Sequence, residues 1–239
     1  PNTKLLLHMN GGDGSTSFID ASQYGHIATT TGNAQIDTAE SKFGGASALF
    51  DGAGDKVTSE ASTDYAFGTG DFTVELFLKS TDGFSDLVHQ AAGGSQWALT
   101  IWNGSAYWQT SHMSGNLYSV SAASILDGNW HHIAVTRSGT TNRMFFDGVG
   151  QVNGTDSTNY NATTELTIGS GGNGDLTGWL DDLRITKGVA RYTSNFTPPS
   201  IELGTQSAFA SAYFQGNVGI GTTSPYSLLS VVGTIVTQN

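Results

Sequence analysis

The sequence predicts an all-β chain, and three observations carry that prediction. The composition comes first: 32 glycines, abundant Ser, Thr and Asn, and only 12% charged residues suit many short strands joined by tight turns. An aromatic content of 10% excludes a disordered chain. The second observation is Asp71 to Ser80 (DFTVELFLKS), where Phe72, Val74, Leu76 and Leu78 share one face and Thr73, Glu75, Phe77 and Lys79 share the other. The third is TGWLDDLRITKGVARYTSNFTPP, from Thr177 to Pro199. Trp179, Asp181, Leu183 and Ile185 alternate as a strand with one buried face. Lys187-Gly188 ends that strand, Val189 to Tyr192 is expected to make one short helical turn, and Pro198-Pro199 forbids any continuation.

The remaining elements follow in chain order. Lys4 to Met9 is a short apolar run read as a central strand, broken by Gly11-Gly12-Asp13-Gly14. A loop-rich stretch extends to Ala39. Lys42 to Asp51 then leads into a Gly52-Ala53-Gly54 turn and a short strand at Lys56-Val57-Thr58. Gln96 to Asn103, Ser105 to Ser111 and Asn116 to Ser121 form an aromatic meander with Gly turns. Trp130 to Arg137 and Arg143 to Asp147 flank a hairpin loop at Gly139-Thr140-Thr141. Glu165 to Ile168 is the last strand before Thr177.

With 239 residues, the chain has room for one all-β domain of about 200 residues and an appendage. The expected division is a domain over 1–203 and a linker with an assembly segment over 204–239. The net charge of -11 and nine scattered Lys and Arg leave no basic stripe for nucleic acid. With no Cys there is no disulfide framework, thiolate metal site or thiol nucleophile. No apolar run approaches the ~20 residues of a membrane span, so no membrane insertion is expected. No signal peptide is recognisable, and from its start at Pro1 the chain is expected to be a processed product or a fragment.

The Thr177–Pro199 stretch resembles the closing strand of laminin-G-like, concanavalin-type jelly-roll domains. Its DDLRITKGVARYTSNFTPP version is similar to those of phage virion proteins and prokaryotic surface proteins. SKFGGASALFDGAGD, GTGDFTVELFLK and WHHIAVTRSG with RMFFDG match the family's early strand, first long core strand and central hairpin, in the right order. The resemblance implies a two-sheet antiparallel jelly-roll sandwich. The tail GNVGIGTTSP, followed by Leu228-Leu229-Ser230-Val231-Val232-Gly233, is similar to a segment of phage tail fibres. Val218, Ile220, Leu228 and Val231 are its assembly candidates, because so short a strand needs a neighbour. The expected partners are virion shell or fibre subunits, or further copies in a homo-oligomer.

Glycosidases of this fold use a carboxylate pair at alternate positions of one strand. Glu40, Glu60, Glu75, Glu165 and Glu202 are followed two residues on by Lys42, Ser62, Phe77, Thr167 and Gly204, so no such pair exists. Asp181 and Asp182 are adjacent and expected on opposite faces, one of them solvated. His131 and His132 are separated in the same way. The aromatic meander is the candidate ligand surface, because sugars stack their C–H faces on such rings. Trp102, Tyr107, Trp108, His112 and Tyr118 are the glycan-binding candidates, with Trp97 assigned to the core and one of Tyr107 and Trp108 expected to be buried. Many relatives hold a structural Ca²⁺ where an early loop meets the closing strand, and by that resemblance Asp51 and Asp182 are the metal candidates. The function expected is a non-catalytic phage virion protein (decoration, capsid-associated or tail-fibre) whose jelly roll binds a glycan or cell-surface polysaccharide. The alternatives are a bacterial cell-surface carbohydrate-binding module and a polysaccharide-degrading enzyme. The expected location is the virion exterior or the cell surface.

Overall fold

Alternating apolar and polar residues fold as strands along most of the chain. The computed structural model describes residues 2–90, 96–110, 116–204, 218–220 and 229–231. Its strands run β1 (Thr3–Leu7), β2 (Ala28–Thr31), β3 (Gln35–Asp37), β4 (Ser47–Asp51), β5 (Lys56–Ser59), β6 (Phe72–Ser80) and β7 (Phe84–Gln90). They continue with β8 (Ala98–Trp102), β9 (Ser105–Gln109), β10 (Asn116–Ser121), β11 (Trp130–Ser138), β12 (Thr141–Phe146), β13 (Val149–Thr155), β14 (Leu166–Ile168) and β15 (Thr177–Lys187). An eight-stranded sheet is ordered β13-β12-β11-β6-β15-β4-β3, with β1 also on β15. A seven-stranded sheet is ordered β10-β9-β8-β7-β14-β5-β2. Within both sheets the pairings are antiparallel. This is the jelly-roll sandwich expected from the sequence.

The core lies between the two sheets. Phe72, Val74, Leu76 and Leu78 of β6 are fully buried in it, as the alternation predicts. Trp97 and Trp108 stack at 5.4 Å, and Phe67 lies on Phe72 at 4.4 Å. Each buried indole N–H finds an acceptor, Trp97 on the Tyr65 carbonyl and Trp108 on the Tyr160 hydroxyl, both at 2.9 Å. That satisfies the polar edge of an otherwise apolar ring.

Three features depart from the sequence reading. The loop-rich stretch before Ala39 contains β2 and β3, and β7 and β13 are strands where the sequence reading places none. Val189 to Tyr192 is not helical, and the helical turn found is a 3-10 turn at Thr63–Tyr65. The backbone at Val189–Tyr192 is instead tied to the sheet: Thr73 Oγ1 donates to the Val189 carbonyl and Thr136 Oγ1 to that of Tyr192. Such tertiary bonds override weak helix propensity. Finally, β15 carries a β-bulge, because its register on β6 jumps from Asp181 opposite Phe77 to Arg184 opposite Glu75. Asp182 sits there at φ 48, a left-handed conformation that Asp tolerates better than most side chains. The extra residue turns Leu183 and Ile185 into the core with Leu180, while Trp179 points outward. The simple alternation of Trp179 with Leu183 is therefore corrected by one residue.

Residues 189–204 form a strap across the outer face of the eight-stranded sheet. Tyr192 and Phe196 stack at 3.6 Å and pack on Phe145 and His132. A second, smaller aromatic layer thus lies outside the main core.

The chain divides into two compact units, Pro1–Ser207 and Ala208–Asn239. In the second, β16 (Val218–Ile220) and β17 (Leu229–Val231) pair in parallel, with Val218 opposite Leu229 and Ile220 opposite Val231. Leu228 lies outside the described residues.

Candidate functional site

The acidic groups of β6 and the closing strand β15 are the first to consider, because acid chemistry would need them accessible. Glu75 lies on the outer face of β6 and is fully buried under the strap. Arg184 donates to its Oε1 through Nε at 2.9 Å and Nη2 at 2.7 Å, and the Tyr192 hydroxyl donates to Oε2 at 2.8 Å. His132 Nε2 lies 3.2 Å from the same oxygen. Burial by itself raises this carboxyl, but the Arg184 charge and the His132 and Arg184 hydrogen bonds outweigh it and hold the pKa at about 2. Such a group is a fixed anion that anchors the strap.

Asp181 and Asp182 are both buried, so neither lies on the solvated face expected for one of them. The Lys42–Phe43 backbone covers Asp181, and His8 with Leu203 covers Asp182. Asp181 Oδ2 accepts the backbone N–H groups of Lys42 and Phe43 at 2.8 and 3.0 Å, while its Oδ1 has no partner. Burial, aided by the neighbouring Asp182 charge and opposed by those two donors, raises its pKa to about 7. Asp182 Oδ1 lies 2.5 Å from His8 Nδ1, and its Oδ2 accepts the Leu203 N–H at 2.7 Å. The hydrogen bond to Asp182 raises the pKa of His8 despite partial burial.

Asp51 does not join Asp182. It stands opposite Thr177 in the β4–β15 register, five residues from Asp182, or about 16 Å along the strand. Its oxygens accept from the Ala53 N–H and Asn33 Nδ2. Both Asp182 oxygens are likewise occupied by protein groups. The two candidates therefore do not fit one calcium ion, which needs converging oxygens from six or more ligands. Among the described residues, no cluster of three or more His, Asp or Glu is arranged to hold a metal. His131 and His132 are separated as expected: His131 lies between Asp127 and Asp147, and His132 beneath the strap.

The aromatic meander is divided by its pleat. Trp108 is fully buried and is corrected from candidate contact to core residue. Tyr118 stands opposite it, half-buried, and donates its hydroxyl to Asn142 Oδ1 at 2.5 Å. Asn142 belongs to β12, so Tyr118 ties the edge strand β10 of one sheet to the other sheet and is corrected to a structural role. His112 lies outside the described residues. Trp102 is 45% exposed and Tyr107 half-buried. Both share the outer face of the seven-stranded sheet, because Thr100 pairs with Tyr107 and Trp102 with Ser105.

Sequence reasoning missed the third ring. Phe84 opens β7 directly opposite Trp102, is 46% exposed, and meets the indole edge-to-face at 5.1 Å and 84°. Only the register of β7 on β8 brings the two together; the one sequence signal was an aromatic just after the Thr81-Asp82-Gly83 turn. Asp82 Oδ1 fixes the start of β7 by accepting the Phe84 N–H at 2.9 Å. The β8–β9 turn places Asn103 and Gly104 at φ 49 and 68, the two-residue hairpin geometry that leaves Trp102 at the sheet's rim.

Beside these rings the face is polar. Asp86 is buried and accepts from the Asn173 N–H and Nδ2 at 3.0 and 2.7 Å. The Gly171–Asp175 loop reaches it because a Cβ on Gly171 would lie 2.0 Å from Asp86 Oδ2. Thr100 Oγ1, on the same face, has no hydrogen-bond partner. The result is a rim of exposed aromatic surface, with Ser105, Asn103 and the Tyr107 hydroxyl beside it.

A family model described as the concanavalin A-like lectin/glucanases superfamily, of laminin G type, matches residues 51–191. The chain belongs to that superfamily. Among solved structures, it is similar to domain 4 of AbnA, a GH43 extracellular arabinanase from Geobacillus stearothermophilus, in complex with arabinotriose. The identity is 17% and the TM-score 0.62, over 79% of this chain and 94% of that domain. The receptor binding domain of botulinum neurotoxin D matches at 17% identity and TM-score 0.62, over 79% of this chain and 50% of that one. The binding domain of Paraclostridial Mosquitocidal Protein 1 matches at 14% and 0.59, over 79% and 49%. The chain thus spans about half the length of the two toxin binding domains. At these identities the likeness is one of fold. No curated protein sequence matches the chain.

Proposed function

We propose that this chain is a non-catalytic glycan-recognition module that acts outside the cell or on a virion surface. The outer face of the seven-stranded sheet holds the sugar. Phe84 and Trp102 stack on its C–H faces, and Tyr107, Ser105 and Asn103 bond its hydroxyls. The observation that carries this reading is the exposed Phe84–Trp102 pair: two large rings left in water at a sheet rim beside polar groups. The fold neighbours lend support, since one was solved with arabinotriose and another structure concerns botulinum neurotoxin type C and its interaction with two ganglioside molecules. The absence of an alternate-position carboxylate pair and the full occupation of Glu75 support a binding rather than a hydrolytic role.

Single-site sugar affinity is modest, so display in several copies would supply avidity. The tail-fibre-like segment supports such display: Val218, Ile220, Leu228 and Val231 would pair with another copy or with a virion shell or fibre subunit. A glycan array probed with a multivalent form of the chain, alongside a reducing-end assay on the same polysaccharides, tests the reading. Binding without hydrolysis is expected; hydrolysis, or an array with no binder, contradicts it. Deleting residues 214–239 should leave a folded sandwich that no longer assembles, and assembly by the truncated chain contradicts the role of the tail.

A further inference from the structure

A second surface on the opposite sheet has the makings of a separate saccharide site. The strap covers the outer face of the eight-stranded sheet at Thr73, Glu75 and Thr136, and Phe77 on the following level is buried against Phe43 and His132, but the level beyond that is open. There Trp130, Lys79, Trp179, Leu49 and Gln35 stand in one straight row across β11, β6, β15, β4 and β3. All five are half-buried, so each keeps one side in solvent. Two strand spacings, about 10 Å, separate Trp130 from Trp179. An extended sugar chain crossing the strands would meet an aromatic ring, a polar gap and a second ring.

The row opens into a cavity of about 330 Å³ lined by Trp179, Leu49, Asp51, Lys79, Thr81 and Thr177. That volume lies at the small end of ligand pockets. Trp179 is held rigidly: its Nε1 donates to Asp37 Oδ2 at 2.8 Å, and the Lys79 ammonium lies 5.5 Å from the ring centre. Lys79 is itself neutralised by Glu40 at 2.6 Å. With Asp37 and Asp51 added, the surroundings carry more negative than positive charge, which disfavours an acidic ligand.

We propose that this groove is a second binding site, for an uncharged oligosaccharide, with Trp130 and Trp179 as stacking platforms and Lys79, Asp51, Thr81 and Thr177 as hydroxyl partners. The inference rests on the reading of the chain as a saccharide binder, but not on the Trp102 face. With sites on opposite sheets, one sandwich would hold two sugar chains at once.

The test uses the indole N–H signals of the five tryptophans in the full chain, recorded by NMR. Trp179→Phe and Trp130→Phe variants assign the two groove signals, and a Trp102→Ala chain removes the other site. Arabinotriose, maltohexaose and cellohexaose serve as uncharged probes and trigalacturonate as the acidic one. In the Trp102→Ala chain, the Trp179 and Trp130 signals should shift saturably with at least one uncharged probe and stay put with trigalacturonate. If neither signal moves with any uncharged probe, or if the acidic probe moves them equally, the groove proposal is overturned. In the unaltered chain, movement of Trp102 alone overturns the groove and keeps the first site. Movement of Trp179 and Trp130 alone supports the groove and removes the first site.

Discussion

Replacing Glu75 with Gln should destabilise the sandwich without touching its ligand surfaces. The carboxylate is fully buried and collects Arg184, His132 and Tyr192 on its two oxygens. Holding it at about 2 instead of the usual 4.5 corresponds to about 3 kcal/mol, at roughly 1.4 kcal/mol per pH unit. Removing one partner of a buried ion pair costs about 3–5 kcal/mol, because the Arg184 charge is left under-compensated. The two figures agree, and they are a large part of the 5–15 kcal/mol typical of a domain. The folded-state pKa is depressed, so the contribution is fully present above pH 4.5 and is lost as pH falls toward 2. Urea unfolding of both proteins across that range is the assay. At neutral pH the variant should be less stable by about 3 kcal/mol or more, and the gap should close as pH falls from 4.5 toward 2. A neutral-pH gap below about 1 kcal/mol, or one that does not change with pH, would refute the account of Glu75 as the anchor of the strap.

Asp181 should behave in the opposite sense. Its folded-state pKa is raised to about 7 from 3.8, so the native chain loses stability relative to Asp181→Asn as pH rises between those values, by up to about 4 kcal/mol. Parallel pH profiles of the two unfolding midpoints would sink this assignment. Two of the meander's three tryptophans, Trp108 and Trp102, should separate cleanly in thermal melts. Trp108→Ala removes a fully buried ring and should cost about 3–5 kcal/mol, whereas Trp102→Ala should stay within about 0.5 kcal/mol. Similar losses at both positions would mean that the faces of β8 and β9 are assigned wrongly.

The sandwich was legible because its signals are local. Alternation in β6 put Phe72, Val74, Leu76 and Leu78 in the core, and alternation over Gln96 to Asn103 put Trp97 there. The same logic failed at β15, where a bulge at Asp182 shifts the period by one and distant segments at Lys42–Phe43, His8 and Leu203 cover two adjacent carboxylates. A bulge is set by neighbouring strands: β1 and β4 share one edge of β15 on either side of it. The helical turn expected at Val189 to Tyr192 is absent for a related reason, since Thr73 and Thr136, which hold that backbone, lie far from it in sequence. Of the candidate site, alternation correctly turned Trp102 outward and left open which of Tyr107 and Trp108 is buried. Phe84 and the Trp130–Lys79–Trp179 row were illegible because cross-strand register, not spacing along one strand, creates them. Asp51 and Asp182 came from family likeness alone, and the register of β4 on β15 keeps them apart.

The most direct test of glycan recognition at the seven-stranded sheet is a calorimetric titration of the best array ligand into the native chain and into a Phe84→Ala/Trp102→Ala double variant. Both rings lie half in solvent, so the variant should melt with the native protein, and its affinity should drop by about tenfold or more through loss of the stacking surface. A double variant that melts normally and binds with undiminished affinity would contradict the assignment of the sugar to this face.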